Sequence, residues 1–286
     1  MFRLLEGDSA GAVLDEAART CGMDFRAAVK SGADIYANRF AQPLICAAQA
    51  AAWSELSAVL PIPTVFAGYS VGELAAYGCA GALGLSETIK LAQRRAELMD
   101  FASPPGCGLL AVQGIHREAV QAVCERHGLH IAIVNGVDHF VIGGDSDNLQ
   151  HAAADAGARG ARTVQLKVAV PAHTPMLSKA VPEFESALRA SALSRPAVPV
   201  LAGIDCALVR DRETAIEALS KQLAQRIEWS SCLETALEMG VSVLLELGPG
   251  CALARMARQA YPKLSVRSVA EFRSLEGVAA WVRRND

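Results

Sequence analysis

Aromatic residues are scarce, 5% of 286, so a core built on stacked rings is excluded and small and aliphatic side chains must fill it. Charge of one sign is also lacking: 27 Lys and Arg against 30 Asp and Glu leave a net charge of −3. That balance argues against a nucleic-acid binder, whose affinity rests on a dense basic surface. No apolar run approaches the roughly 20 residues a bilayer span needs, and no basic segment followed by an apolar core opens the chain as in a secretory signal. The eight cysteines include no Cys-x-x-Cys pair and no Cys/His cluster at metal-ligand spacing. A zinc site and a disulfide framework are therefore not expected; free thiols in a reducing cytoplasm are. No internal repeat or low-complexity linker is present, so a solenoid is excluded.

What is there is apolar periodicity in two rhythms. The first forty residues read as helical. Gln42-Pro43 then opens a long helical stretch to Leu60, with Pro43 suited to a first turn. Thr64 to Ala67 reads as a short buried strand, followed by Gly68-Tyr69-Ser70-Val71-Gly72-Glu73 and a small-residue helix to about Ala80. Ser86 is placed to cap a further helix ending near Asp100. From Gly106 the order changes to β-α-β-β-α-β, with strands near 109–113, 129–134, 140–142 and 163–168 and helices near 117–126 and 147–156. This is the ferredoxin-like split βαβ order. Helices then alternate with strands at 198–201, 241–247 and 265–269, which implies a mainly parallel sheet covered on both faces. The expected fold is α/β: a large α/β-hydrolase-like domain, 1–105 and 171–286, with a small ferredoxin-like domain, 106–170, inserted.

Three residues carry candidate chemistry. Gly68-x-Ser70-x-Gly72 between a strand and a helix has the form of a nucleophile elbow, where small neighbours let the backbone pass close to itself. The serine then lies at a helix N-terminus, and the Val71 N–H can face an oxyanion; a glycine-rich turn that merely packs is the plainer reading. Arg95 falls among Leu91, Ala92, Ala96 and Met99 on the apolar arc of its helix. A guanidinium there needs an anion. Two readings stay open: a structural ion pair or snorkelling side chain, or a fork that grips a substrate carboxylate. A serine also needs a base, and six histidines exist. His116, His127, His130, His139 and His151 lie in the expected small domain. His173 follows an apolar strand and a proline where the chain re-enters the large one, at the kind of strand end where ligands collect.

Together these segments resemble the malonyl-CoA:acyl-carrier-protein transacylase family over nearly the whole chain. Gly68-Tyr69-Ser70-Val71-Gly72-Glu73 is similar to its G-H-S-x-G-E. Arg95, in Gln93-Arg94-Arg95-Ala96-Glu97-Leu98-Met99, falls at its malonyl-carboxylate arginine. Val170-Pro171-Ala172-His173 resembles its V-P-S-H. Asn135 with Val141-Ile142-Gly143-Gly144, and Glu246-Leu247-Gly248-Pro249-Gly250, resemble later segments. The resemblance implies that a backbone carbonyl orients the histidine, and alignment at Ile227-Glu228-Trp229 assigns it to Glu228. It further implies a Ser70 acyl-enzyme, malonyl-CoA as substrate with no resident cofactor, and a carrier-protein thiol as acceptor.

Two departures stand out. Tyr69 occupies the position of the family's histidine, which is similar to the epsilon subunit of malonate decarboxylase and favours that complex's carrier subunit over fatty-acid synthesis. The family's opening F-P-G-Q-G-x-Q, whose glutamine supplies the second oxyanion donor, has no counterpart; Met1 to Gly7 resembles the sequence just after it. Lacking that donor implies a turnover lower by about 100- to 1,000-fold, and lacking its strand implies exposed sheet edges. Two rival functions remain at this stage: a serine esterase or thioesterase, which would want an acidic third member from among Asp138, Asp145, Asp147 and Asp155, and an inactive carrier-binding subunit.

Overall fold

A computed structural model describes residues 7–31 and 34–286; the reading of Met1 to Glu6 lies outside them. Helices α1 (Asp8–Cys21), α2 (Phe25–Ser31) and α3 (Asn38–Leu56) lead to strand β1 (Phe66–Ala67), and α4 (Val71–Cys79) and α5 (Leu85–Ala102) follow. Alanine and cysteine line the inner face of α3 (Cys46, Ala47, Ala51, Ala52, all at most 1% exposed). Small side chains let helix axes approach closely, which is how a chain poor in rings still packs densely.

Two helix starts differ from expectation. Pro43 lies inside α3, which begins at Asn38. The extra first turn is held from outside: the Asn38 side chain donates to the Ala96 carbonyl and to Asp100 on α5 at 3.1 and 2.8 Å, and this outweighs the proline's missing N–H. The next helix is capped not by Ser86 but by an extended Gly84, with α5 starting at Leu85.

The middle of the chain runs β2 (Cys107–Gln113), α6 (Arg117–His127), β3 (His130–Gly136), β4 (His139–Asp145), α7 (Ser146–Ala158) and β5 (Arg162–Gln165). The antiparallel order β5-β2-β4-β3 is that of a ferredoxin-like sheet. Leu110, Phe140, Ile142 and Leu149 fill its own apolar cluster, each large side chain contributing about 2 kcal/mol by burial.

A short 3₁₀ turn (Pro175–Ala180) and α8 (Val181–Ala190) return the chain, and β6 (Val200–Leu201), β7 (Leu208–Val209), α9 (Arg212–Lys221), β8 (Ile227–Glu228) and α10 (Trp229–Glu238) follow. The strand β8 lies outside 106–170 yet joins the middle sheet, parallel to β3, with Ile227 opposite Ile133. Finally come β9 (Val243–Glu246), α11 (Ala252–Ala260), β10 (Ser265–Ser268) and α12 (Leu275–Asn285). The Glu246 carboxylate accepts the Ala254 N–H at 2.9 Å, so the acidic residue of the late Glu-x-Gly-Pro-Gly segment ties down the start of α11.

The parallel strands form two ladders rather than one sheet: β1 with β6 and antiparallel β7, and β9 with β10. Among the described residues β1 pairs on one edge only, so the segment expected to be buried is half-buried at Phe66 and exposed at Ala67.

Candidate active site

The turn from β1 into α4 carries Ser70. Its backbone has φ 55° and ψ −120°, a left-handed geometry that costs a non-glycine residue about 1–3 kcal/mol and that surrounding structure must hold. Gly68 shows how tight the turn is: a Cβ there would lie 2.1 Å from the Glu73 nitrogen. Gly72 is less constrained, since a Cβ would meet the Gln49 amide at an ordinary 3.6 Å. Val71 is the first residue of α4, and its N–H has no hydrogen-bond partner among the described residues, as expected at a helix N-terminus.

Ser70 Oγ lies 2.8 Å from His173 Nε2. On the ring's other side, Nδ1 is 2.6 Å from the carbonyl of Gln222. A carbonyl can only accept, so Nδ1 carries the hydrogen and Nε2 is left to take the serine proton. The His173 N–H also donates to the Leu223 carbonyl at 2.9 Å, which fixes a residue held at φ 62°. The orienting carbonyl is therefore that of Gln222, not Glu228: the Glu228 carbonyl instead faces the Cys206 thiol at 3.5 Å, because Glu228 is drawn into β8 against β3. Burial and the nearby Arg95 charge lower the His173 pKa to about 3. The ring is thus neutral at ordinary pH, with Nε2 unprotonated.

Arg95 is 2% exposed. Nη1 donates to Gln42 Oε1 at 2.8 Å and lies 3.2 Å from the Met99 sulfur; Nη2 donates to Gln222 Oε1 at 2.9 Å. Among the described residues no carboxylate lies within ion-pair distance of it, so neither an ion pair nor a snorkelling side chain describes it. Burial lowers its pKa to about 10, a cost that oriented amide oxygens only partly offset.

Gln222 is the junction of the site. Its carbonyl faces His173, its Oε1 accepts from Arg95, and its Nε2 donates to Glu73 Oε2 at 2.6 Å. Glu73 is wholly buried and also accepts the Gly203 N–H at 2.9 Å. Burial raises its pKa to about 7 against those hydrogen bonds and the Arg95 charge. Sequence reasoning missed Gln222 and gave Gln42 and Glu73 no role. Glu73 carried a usable signal, a carboxylate on an otherwise apolar helix; Gln222 carried none.

Tyr69 packs edge-on against Trp229, ring centres 5.4 Å apart. Burial pushes its phenol up to about 12, opposed by the Asn135 side chain. Asn135 is buried and its Oδ1 has no partner among the described residues. A cavity of about 330 Å³ reaches His173 from the side of α6 and β3, lined also by Gln121, His130, Pro175 and Arg226. No group of His, Cys, Asp and Glu among the described residues is arranged to hold a metal ion. The arrangement is that of an activated serine with a neutral base and a buried cation alongside.

Residues 10–284 match the acyl transferase domain model. The chain belongs to the acyl transferase domain family. Its acyl transferase domain is 32% identical over 249 residues to the malonyl CoA-acyl carrier protein transacylase of Haemophilus influenzae, covering 82% of this chain and 79% of that one. Among solved structures it is similar to FabD from Acinetobacter baumannii, with a TM-score of 0.92, 26% identity, and 98% and 92% of the two chains covered. It is also similar to PlMCAT, a malonyl-transacylase in complex with a type II PKS acyl-carrier protein: TM-score 0.91, 27% identity, and 96% and 92% of the two chains covered.

Proposed function

We propose that this acyltransferase moves a malonyl group from malonyl-CoA to the phosphopantetheine-type thiol of an acyl-carrier protein through an ester on Ser70. The observation that carries the reading is Arg95, a buried cation with donors held in place and no carboxylate among the described residues within ion-pair distance of it. A malonyl thioester brings the missing charge, and a guanidinium fork holds it by parallel charge-assisted bonds. His173 Nε2 takes the Ser70 proton as Oγ attacks the thioester carbon, and the Val71 N–H faces the oxyanion. The coenzyme A thiol leaves with that proton. The carrier thiol then gives its own proton to His173 and attacks the ester, and the Ser70 oxygen leaves with that proton, a ping-pong sequence. The Arg95 clamp favours malonyl over acetyl and fixes the angle of attack.

The names of the relatives, malonyl CoA-acyl carrier protein transacylases, support this substrate and acceptor, and they favour a freestanding carrier protein. The malonate decarboxylase role rests on Tyr69 and general likeness. Against the hydrolase reading, His173 Nδ1 meets the Gln222 carbonyl rather than a carboxylate, Asp145 caps α7, and Asp155 is engaged by Arg126, His127 and Arg159. Cytoplasmic residence belongs to the same proposal and is supported by eight unpaired cysteines; no described helix is long and apolar enough to cross a membrane.

The test is intact-mass spectrometry after brief exposure to malonyl-CoA. One malonyl adduct is expected in the native chain and none in Ser70→Ala. Arg95→Ala is expected to lower kcat/KM for malonyl-CoA by about 100-fold and to raise the preference for acetyl-CoA. An unchanged preference would remove the clamp, and rapid release of free malonate without a carrier would favour a hydrolase.

A further inference from the structure

Cys206 and Cys232 have no place in the acyl-transfer scheme. Their sulfurs lie 3.5 Å apart, and no other pair of cysteine sulfurs among the described residues makes such a contact. Cys206 is the fifth residue of the turn 202–206 between β6 and β7, held at φ 61° by hydrogen bonds from its N–H to the Ala202 carbonyl and from the Ala202 N–H to the Ala207 carbonyl, 2.9 and 3.0 Å. A side chain on a left-handed residue has few alternative directions, and this one aims its sulfur at α10. Cys232, 1% exposed, sits one helical turn into α10 with its sulfur 3.5 Å from the Ala202 carbonyl. The two thiols are thus packed against each other from separate elements, Cys206 half-buried and Cys232 beneath it.

We propose that Cys206 and Cys232 are a disulfide-forming site, oxidised by peroxide-class oxidants and reopened by thiols. The Cys206 thiolate attacks one oxygen of hydrogen peroxide: an S–O bond forms, the O–O bond breaks, and the departing hydroxide takes a proton to become water. The Cys232 sulfur then loses its proton and attacks the Cys206 sulfenic sulfur, forming the S–S bond and displacing hydroxide, which that proton converts to a second water. Two thiols are oxidised by two electrons and one peroxide is reduced. Access sets the order of events, since Cys206 is half-buried while Cys232 lies beneath it at 1% exposure, and the S–H of Cys232 also holds the Cys206 thiol below its ordinary value. The bond ties the turn that places Gly203 against Glu73 to the helix that places Trp229 against Tyr69, so it forms in the frame of the active site without touching Ser70, His173 or Arg95.

The experiment treats the reduced whole chain with hydrogen peroxide, alkylates the remaining thiols, and maps non-reduced peptides by mass spectrometry. The expected result is a Cys206–Cys232 linked peptide and a loss of about 2 Da per chain that dithiothreitol reverses, with the other six cysteines alkylated as before. Cys206→Ser is expected to lose the link. Cys232→Ala, checked for folding by circular dichroism, is expected to leave Cys206 as a dimedone-reactive sulfenic acid. If that variant does not fold, the native chain and Cys206→Ser decide alone. The proposal is overturned if the native chain gives no 206–232 peptide, with Cys206 recovered as free thiol or as sulfonic acid, or if oxidation joins other cysteines first.

Discussion

At the scale of single residues the site is a set of opposed protonation states. His173, with its pKa lowered from 6.5 to about 3, binds a proton in the unfolded chain below about pH 6.5 but not in the folded one. Its contribution to stability is therefore full above that value and is lost as pH falls toward 3, at about 1.4 kcal/mol per unit. Glu73, raised from 4.5 to about 7, works in the other direction: its contribution is full below pH 4.5 and lost as pH rises to 7. Between 4.5 and 6.5 the two slopes cancel. Glu73→Gln is thus expected to uncover the His173 slope, so that its stability by urea titration falls with acidification through this window where the native chain stays level. Gln222→Leu keeps the carbonyl that faces His173 but removes the bridge to Arg95 and Glu73. It is expected to lower malonyl kcat/KM about 10- to 100-fold while an active-site serine probe still reacts. Gly68→Ala drives a Cβ into the Glu73 backbone and is expected to cost about 3 kcal/mol or more, read from the same titration.

Elements decide where these residues meet. α5 presents Arg95 because a stripe of Ile89, Leu91, Ala92 and Ala96 faces the core, and helical spacing carries the guanidinium inward with it. The helix α7 is held at its start by Asp145, whose side chain accepts from the N–H groups of Asp147 and Asn148. Asp145→Ala is expected to cost about 1 kcal/mol in denaturant titration and to leave serine acylation unchanged, which also disposes of this residue as a triad member. Element types were readable from sequence over 107–165, where each expected strand and helix appears within a few residues. They were less readable at Pro43 and Ser86, where side chains of a distant helix or an extended glycine overrode the local signal.

For the whole molecule, the ferredoxin-like sheet is not closed by its own segment. β8, from residues 227–228, covers the edge of β3. Residues 106–170 produced alone would leave that edge unpaired, a template for pairing with other chains. That fragment is expected to self-associate in size-exclusion chromatography, and the whole chain to run as a monodisperse species at equal concentration. The same pairing places Glu228 beside the small sheet and leaves the Gln222 carbonyl, at the end of α9, to meet His173.

Ser70, Arg95 and His173 were legible because each obeys a local rule: small residues around a strained turn, a cation at a core position of a helix, a histidine behind an apolar strand and a proline. The ferredoxin-like order was legible for the same reason, since periodicity switches between 2 and 3.6 within single segments. The sequence by itself determined these. Only the tertiary structure decided that Gln222 joins His173, Arg95 and Glu73, that the parallel strands divide into two ladders, and that Cys206 meets Cys232. Those contacts span from 22 to 149 residues of chain and depend on how loops cross between layers, and no local pattern of residue types encodes that geometry.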